Sequence, residues 1–315
     1  MVKATVLVMT YNHAAFVGQA LDSVLEQQVD FPFEIVISED RSTDDTRAIV
    51  IDYQERYPQL IRLLLSERNI RSNAVVRRGI EAARGEYIAL LDGDDYWISP
   101  HKLQKQIDFL DRHPECAMCF HNAVRVDQSG ALLPGRPTWT PQDHPRFSTL
   151  EDIWMGNFIA TCTTMFRRQT LREIPAWYDG MFPITDWPLH ILSAEHGMIG
   201  YIEDTMGAYR QHAGGFYTPL SEAQKLASTL AFYHRMNANL NYRHNTLVKI
   251  AISKYFYEWA DEYLRRGDVA RARRCFRTCL TGRPINRFIR PKQLLRMGTR
   301  LMLSRSSTVG PSVLP

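Results

Sequence analysis

The stretch YIALLDGDDYW, residues 87–97, joins a short apolar run to three aspartates, Asp92, Asp94 and Asp95, and then to two aromatics. An apolar run of this length, bounded by turn residues, reads as a strand buried on both faces. Like charges this close raise one another's pKa and cost stability unless a cation or hydrogen-bond donors compensate. A solvated acidic turn is the simpler explanation. Helix capping explains less, because Ser99-Pro100 already supplies an N-cap and first-turn signal for the next helix, which runs to about His113-Pro114.

Outward from this stretch, strand and helix signals alternate. ATVLVMT (4–10) is a first strand, followed by helical spacing in AFVGQALDSVLEQQ. EIVIS (34–38) is a second strand, and STDDTRAIVIDYQERYP a helix with Ser42 or Thr43 as N-cap and Pro58 at its end. LIRLLLS (60–66) is a third strand, NAVVRRGIEAARG a helix closed by Gly85, and YIALL (87–91) the fourth strand. This order predicts an α/β fold with a mostly parallel sheet flanked by helices. Ligands of such sheets sit beyond the carboxyl ends of the strands. Thr10-Tyr11-Asn12, Glu39-Asp40 and the Asp92 cluster each follow a strand directly, so they should converge on one edge. Mg²⁺ and Mn²⁺ commonly take one or two carboxylates together with substrate phosphates, which makes the cluster a candidate metal–phosphate site.

Further along, AMCFHNAVRV (117–126) and IATCTTMFRR (159–168) read as strands and TDWPLHILSAEHG (185–197) as a helix with Asp186 in a capping position. MIGYIED reads as a strand, GAYRQHAGGFYTP as a glycine-rich loop, and DQSGALLPGRPTWTPQDHPRF as a Gly/Pro-rich excursion. From about Leu220 the pattern is helical, with a hairpin turning at Gly267-Asp268. Composition is that of an ordinary globular protein with a net charge of +4. Arg265 to Arg305 nevertheless carries 13 Lys and Arg against one acid, Asp268. No apolar run approaches the roughly 18 residues of a membrane span. The opening MVKATVLVMTYN reads as a strand rather than a signal peptide. Five cysteines fit a reduced, cytoplasmic protein.

VLVMTYNHAAFVGQALDSVLEQQ, EIVISEDRSTDDT and ARGEYIALLDGDD resemble, in order and spacing, family-2-type inverting glycosyltransferases with the GT-A fold, of the bacterial cell-surface polysaccharide type. The resemblance implies a GT-A catalytic domain over residues 1–218, followed by a helical, basic region over 219–315. It implies that Thr10, Tyr11, Asn12, Asp40, Asp92 and Asp94 hold the nucleotide. Asp94, Asp95 and His212 would bind Mn²⁺ or Mg²⁺, and Arg210 would contact the diphosphate. Asp186 would be the general base, although Thr185 stands where relatives carry the first acid of the pair. NAVVRRGI departs from the family's Ala-Arg-Asn, so no role carries over to Arg77 or Arg78. The implied partners are a nucleotide-sugar donor, most readily a UDP-sugar, and a saccharide or lipid-linked acceptor.

Two other classes are open at this point. A sugar nucleotidyltransferase would carry a glycine-rich basic loop where TYNHAAF stands, and an inactive nucleotide-sugar-binding scaffold would be recruited through its tail. The tail shows no nucleic-acid motif. NRFIRPKQLLRMGTRLML sets apolar residues among arginines, which suits a peripheral contact with an anionic membrane at its inner face, or equally a helix covering the protein or meeting a partner. Cys116, Cys119, Cys275 and Cys279 are expected as buried structural thiols rather than zinc ligands. Trp154, Trp177 and Trp187 are expected in the core or stacked on sugar rings.

Overall fold

The computed structural model describes residues 1–135, 138–141, 143–215 and 220–304. Arg136, Pro137 and Gln142 of the Gly/Pro-rich excursion, the end of the glycine-rich stretch (216–219) and Arg305 lie outside the described residues. The chain forms two units, residues 1–153 with 157–225, and residues 154–156 with 226–315.

The first unit opens with β1 (Ala4–Thr10), α1 (Val17–Leu25), β2 (Phe33–Glu39), α2 (Thr46–Arg56), β3 (Ile61–Leu65), α3 (Ala74–Ala82) and β4 (Tyr87–Asp92). These strands pair in parallel in the order β3-β2-β1-β4, as the alternation predicts. The apolar runs become strands because both faces are covered: every residue of β1 is buried, as are residues 87–91 of β4. Gly79 lets α3 lie close on β1, since a Cβ there would stand 2.3 Å from a Leu7 methyl.

Beyond β4 come β5 (Tyr96–Trp97), α4 (Lys102–Arg112), β6 (Cys116–Val126), β7 (Phe147–Ser148), the short α5 (Leu150–Trp154), β8 (Met165–Arg167), α6 (Asp186–Ala194) and β9 (Met198–Arg210). Here short antiparallel pairings join the mostly parallel sheet. Its order continues β4-β8-β6-β9-β5, with β7 also on β9. β8 is antiparallel to both β4 and β6, whereas β6 and β9 are parallel. Three local expectations are corrected. Helix α4 starts at Lys102, after a turn at Pro100-His101, so Ser99 does not cap it. Within 159–168 only Met165–Arg167 is strand. Thr161–Thr163 is a 3₁₀ turn, in which the Thr163 and Thr164 hydroxyls donate back to the carbonyls of Ala160 and Thr161. The expected loop at GAYR is instead the end of β9.

One buried cation gives a stability prediction. Lys102 is fully buried, its Nζ 3.7 Å from the centroid of the Trp97 ring and without a hydrogen-bond partner. Burial lowers its pKa to about 7, against the weaker opposing pull of the Cys119 and Cys162 thiols. Between that value and the usual lysine value of about 10.4, the unfolded chain binds more protons than the folded one, so this group makes stability rise with pH across the window. Lys102→Met should therefore raise the melting midpoint at pH 7, by about 1–3 kcal/mol of stability, and flatten the rise between pH 7 and 10. Thermal melts of both proteins over that range decide it; a lower midpoint for the variant at pH 7 contradicts it.

The second unit contains α7 (Glu222–Asn239) for most of its length, α8 (Asn245–Arg265), α9 (Val269–Thr281) and α10 (Pro291–Leu303). The α8–α9 hairpin turns at Gly267, whose φ is +80°, and Asp268 caps α9 by accepting from the Arg271 amide at 3.0 Å. Trp154 is core in this unit, stacked on Tyr233 and accepting the Tyr233 hydroxyl at its carbonyl, rather than a sugar platform. All five cysteines are free and buried. No helix among the described residues is long and apolar enough to cross a membrane.

Candidate active site

The registers Thr10↔Glu39 and Met9↔Asp92 bring the carboxyl ends of β1, β2 and β4 level. Because β8 opposes both β4 and β6, and β9 runs with β6, β9 points the same way as β4 and delivers Arg210 and His212 to the same edge. The acidic turn after β4 closes tightly, with the Gly93 amide donating to Met9 O and the Asp95 amide to Asp92 O. Residue 93 must be glycine for this: a Cβ would stand 2.6 Å from Thr10 Oγ1 and 2.9 Å from His13 Nδ1.

The three aspartates take different positions. Asp92 and Asp94 are half-buried, whereas Asp95 is buried. Asp94 Oδ2 lies 2.9 Å from His212 Nε2 and 3.6 Å from His13 Nε2. Burial pushes the Asp94 carboxyl upward, but His13 and then His212 outweigh it and hold it below the usual range. Burial pushes Asp92 well up, reinforced by Asp94 and then by Asp186. Asp95, expected at the metal, is turned inward. One of its oxygens accepts from the Arg210 amide at 2.8 Å while the other is buried without a hydrogen-bond partner, and burial, then Asp94 and Asp92, raises the carboxyl well above the ordinary value.

Arg210, expected at the diphosphate, is buried, and four of its five guanidinium N–H donors are engaged within the protein. They reach Asp94 O (2.8 Å), Gln128 O (2.9 Å), Asp127 O (3.4 Å) and Gln19 Oε1 (2.6 Å), with the Phe16 and Tyr96 rings against the guanidinium. It braces the acidic turn. His13 was not foreseen; the only sequence signal is a polar residue directly after TYN.

Asp186 opens α6 in its first turn, with Thr185 rather than Asp186 at the N-cap. Its Oδ1 accepts from the Trp187 amide at 2.7 Å, and its Oδ2 from Asn157 Nδ2 at 3.0 Å and Thr161 Oγ1 at 3.4 Å. Thr161 also stands beside Asp92, whose carboxyl it draws down against the push of burial, so one hydroxyl lies near both carboxylates. Thr161 falls in the segment whose turn the alternating pattern concealed, and Asn157 lies just before it.

Asp40 follows β2, and its carboxylate is engaged by a loop: Ser66 Oγ (3.1 Å) and the Ile70 amide (2.9 Å) donate to one oxygen, the Arg71 amide (3.2 Å) to the other. A carboxylate with about four lone-pair sites retains capacity for a further donor. Asn73 continues this loop, its Nδ2 donating to the carbonyls of Tyr178 and Ile184 just before Asp186. Thr10 is buried, Tyr11 half-buried, and Asn12 exposed with φ +54°. Asn12 Oδ1 accepts from the Thr43 amide at 2.8 Å, tying the first loop to the second. Arg77 forms a two-pronged pair with Asp179, while Arg78 donates to Ser38 Oγ and to the carbonyls of Glu39 and Leu64. Both are therefore structural. Trp187 is buried, its Nε1 donating to Ile153 O.

No group of three or more His, Cys, Asp or Glu among the described residues is arranged to hold a metal ion. The donor set at Asp94 and His212 fits a cation that takes its remaining ligands from a diphosphate and water, the usual manner of Mg²⁺ and Mn²⁺.

Residues 5–174 match the profile of Glycosyl transferase family 2. An uncharacterized protein of Mycobacterium tuberculosis is 40% identical over 214 residues, 68% of this chain and 60% of the relative's length. The chain thus spans about three fifths of the relative it matches. A putative teichuronic acid biosynthesis glycosyltransferase of Bacillus subtilis, TuaG, is 30% identical over 174 residues, 54% of this chain and 64% of that protein. Among solved structures, TarS of S. aureus (residues 1–349, in complex with UDP) superposes with a TM-score of 0.55 at 19% identity, covering 87% of this chain and 90% of that one. The mannosyltransferase PcManGT of Pyrobaculum calidifontis, in complex with GDP-Man and Mn²⁺, gives 0.54 at 15% identity over 95% and 85%. With a profile match over more than half its length and a superposition on such structures, the chain belongs to glycosyl transferase family 2 and has the GT-A fold.

Proposed function

We propose that the protein is an inverting glycosyltransferase that moves a sugar from a nucleotide-diphospho-sugar, a UDP-sugar, to a hydroxyl of a saccharide or lipid-linked acceptor in cell-surface polysaccharide synthesis. The observation that carries this reading is the second half-buried carboxylate, Asp186, held by Asn157 and Thr161 beside the Asp92–Asp94 pair. One carboxylate station suits a metal–diphosphate, and a separately oriented one suits a proton acceptor. The UDP bound by TarS and the TuaG similarity support the donor and the pathway class.

In this reading Asp40 and the Thr10–Asn12 segment hold the nucleoside, and Asp92 faces the ribose. Asp94 and His212 would hold Mn²⁺ or Mg²⁺, which when bound neutralises charge developing on the departing diphosphate. Asp186 takes the proton of the acceptor hydroxyl as its oxygen attacks the anomeric carbon. The carbon–phosphate oxygen bond breaks on the opposite face, so configuration inverts in one displacement and the nucleoside diphosphate leaves. Asp95 and Arg210 shape the turn from beneath.

The test is release of nucleoside diphosphate from UDP-, GDP-, CDP- and dTDP-sugars with Mn²⁺, in the presence of lipid-linked and free saccharide acceptors. Acceptor-stimulated release from the UDP-sugar is expected. No release from any donor, with nucleotide still bound, would replace the enzyme reading with that of a binding scaffold.

A further inference from the structure

Residues 269–304 contain ten Lys and Arg and no Asp or Glu. Within the second unit, the rotation of α10 about its axis is fixed. Met297 and Leu301 are buried and Leu294 and Gly298 half-buried, which defines the packed side. Arg273 of α9 donates to the carbonyls of Leu301 (2.8 Å) and Ser304 (3.1 Å), pinning the last turn. Arg300 pairs with Asp261 of α8 at 2.9 Å.

The side left in solvent is not the polar face such a helix would ordinarily present. Leu295, Met302 and Leu303 are 74%, 83% and 79% exposed. At 3.6 residues per turn, Lys292, Arg296, Thr299 and Leu303 form one exposed row, with Leu295 and Met302 beside it. Neither Lys292 nor Arg296 has an ion-pair partner among the described residues. Arg283, exposed Ile285, Arg287 and Arg290 lead into the helix. Three large aliphatic side chains thus stand in water among cations, an arrangement unfavourable in solvent and favourable where apolar and anionic groups meet. Of charged partners, single-stranded nucleic acid would be served by aromatic stacking platforms, and the apolar side chains on this face of α10 are all non-aromatic. A 13-residue helix is too short to span a bilayer but suits lying on one.

We propose that the outer face of α10, with the arginine-rich segment before it, docks on an anionic lipid bilayer. The helix axis lies in the membrane plane, Leu295, Met302 and Leu303 enter the acyl boundary, and Lys292 and Arg296 meet lipid phosphates. This surface is independent of the donor-site reading.

The experiment is flotation of the purified full chain with vesicles of phosphatidylcholine alone or mixed with phosphatidylglycerol, at low and high salt. Binding to the phosphatidylglycerol vesicles is expected, weakened by salt. At about fivefold per cation near the surface, Lys292→Gln with Arg296→Gln should lower partitioning about 25-fold. Leu295→Ser with Met302→Ser should lower it about tenfold or more at either salt concentration. All four positions are exposed, so the variants should melt with the wild type, and Leu295→Ser alone serves as a milder second variant. Equal binding to both vesicle types, binding to neither, wild-type partitioning by both double variants, or binding of single-stranded RNA with the vesicles ignored would each overturn the proposal.

Discussion

Asp186→Asn is expected to lower turnover by about 10²–10⁴-fold, the range a positioned general base contributes. Affinity for the nucleotide with Mn²⁺ should stay within about twofold of wild type, because the substitution removes a transition-state interaction rather than a ground-state one. The split follows from the geometry. Asparagine keeps the shape and the oxygen that accepts from the Trp187 amide, so α6 retains its first turn. What it loses is the ability to take up a proton, together with the oxygen that accepts from Asn157 Nδ2 and Thr161 Oγ1. Asn157 and Thr161 already orient the carboxylate, so the deficit should not be rescued by raising acceptor concentration. Steady-state kinetics with a binding isotherm on the same preparation decide the matter. An equal loss of nucleotide affinity, or wild-type turnover, would remove Asp186 from the base role.

Asp94→Asn should act on the other station. A bound cation contributes several kcal/mol to stabilising the leaving diphosphate, so its loss is expected to cost about 10³-fold or more in turnover. Nucleotide should no longer stabilise the protein more with Mn²⁺ than with EDTA. The ligand-free variant should remain folded, since losing the contacts to His212 and His13 is offset by relief of Asp92 and Asp95, whose carboxyls Asp94 helps push up. His212→Gln should weaken metal dependence less, because the carboxylate charge remains. Thermal melts of each variant with UDP, with and without Mn²⁺, measure this. Full retention of the Mn²⁺-dependent shift in Asp94→Asn would exclude Asp94 as a ligand.

The half of the sheet from β3 to β4 was legible because its inner strands β2, β1 and β4 are covered on both faces and its helices carry apolar residues at helical spacing. β8 was not legible in the same way. Thr161, Thr163 and Thr164 alternate like strand residues, yet their hydroxyls can bond the local backbone, and that competition produces a turn instead. The end of β9 was hidden by Gly207, which reads as loop punctuation. In the fold it sits in a crowded place, where a Cβ would come 3.3 Å from the His121 ring. At the site, the acids of the cluster were visible but their division of labour was not. Whether an aspartate faces solvent, as Asp92 and Asp94 do, or the core, as Asp95 does, depends on the turn at Gly93 and on the Arg210 amide arriving from another strand. The same holds for Arg210: proximity to the motif suggests an anion, and only the surrounding carbonyls reveal a brace.

The most direct test of the central claim, that Asp94 and His212 form a cation-dependent nucleotide station, is calorimetric titration of UDP into the protein with Mn²⁺ and again after EDTA. The account predicts binding tightened about tenfold or more by the cation. Equal affinity in the two conditions, or no binding in either, would contradict it.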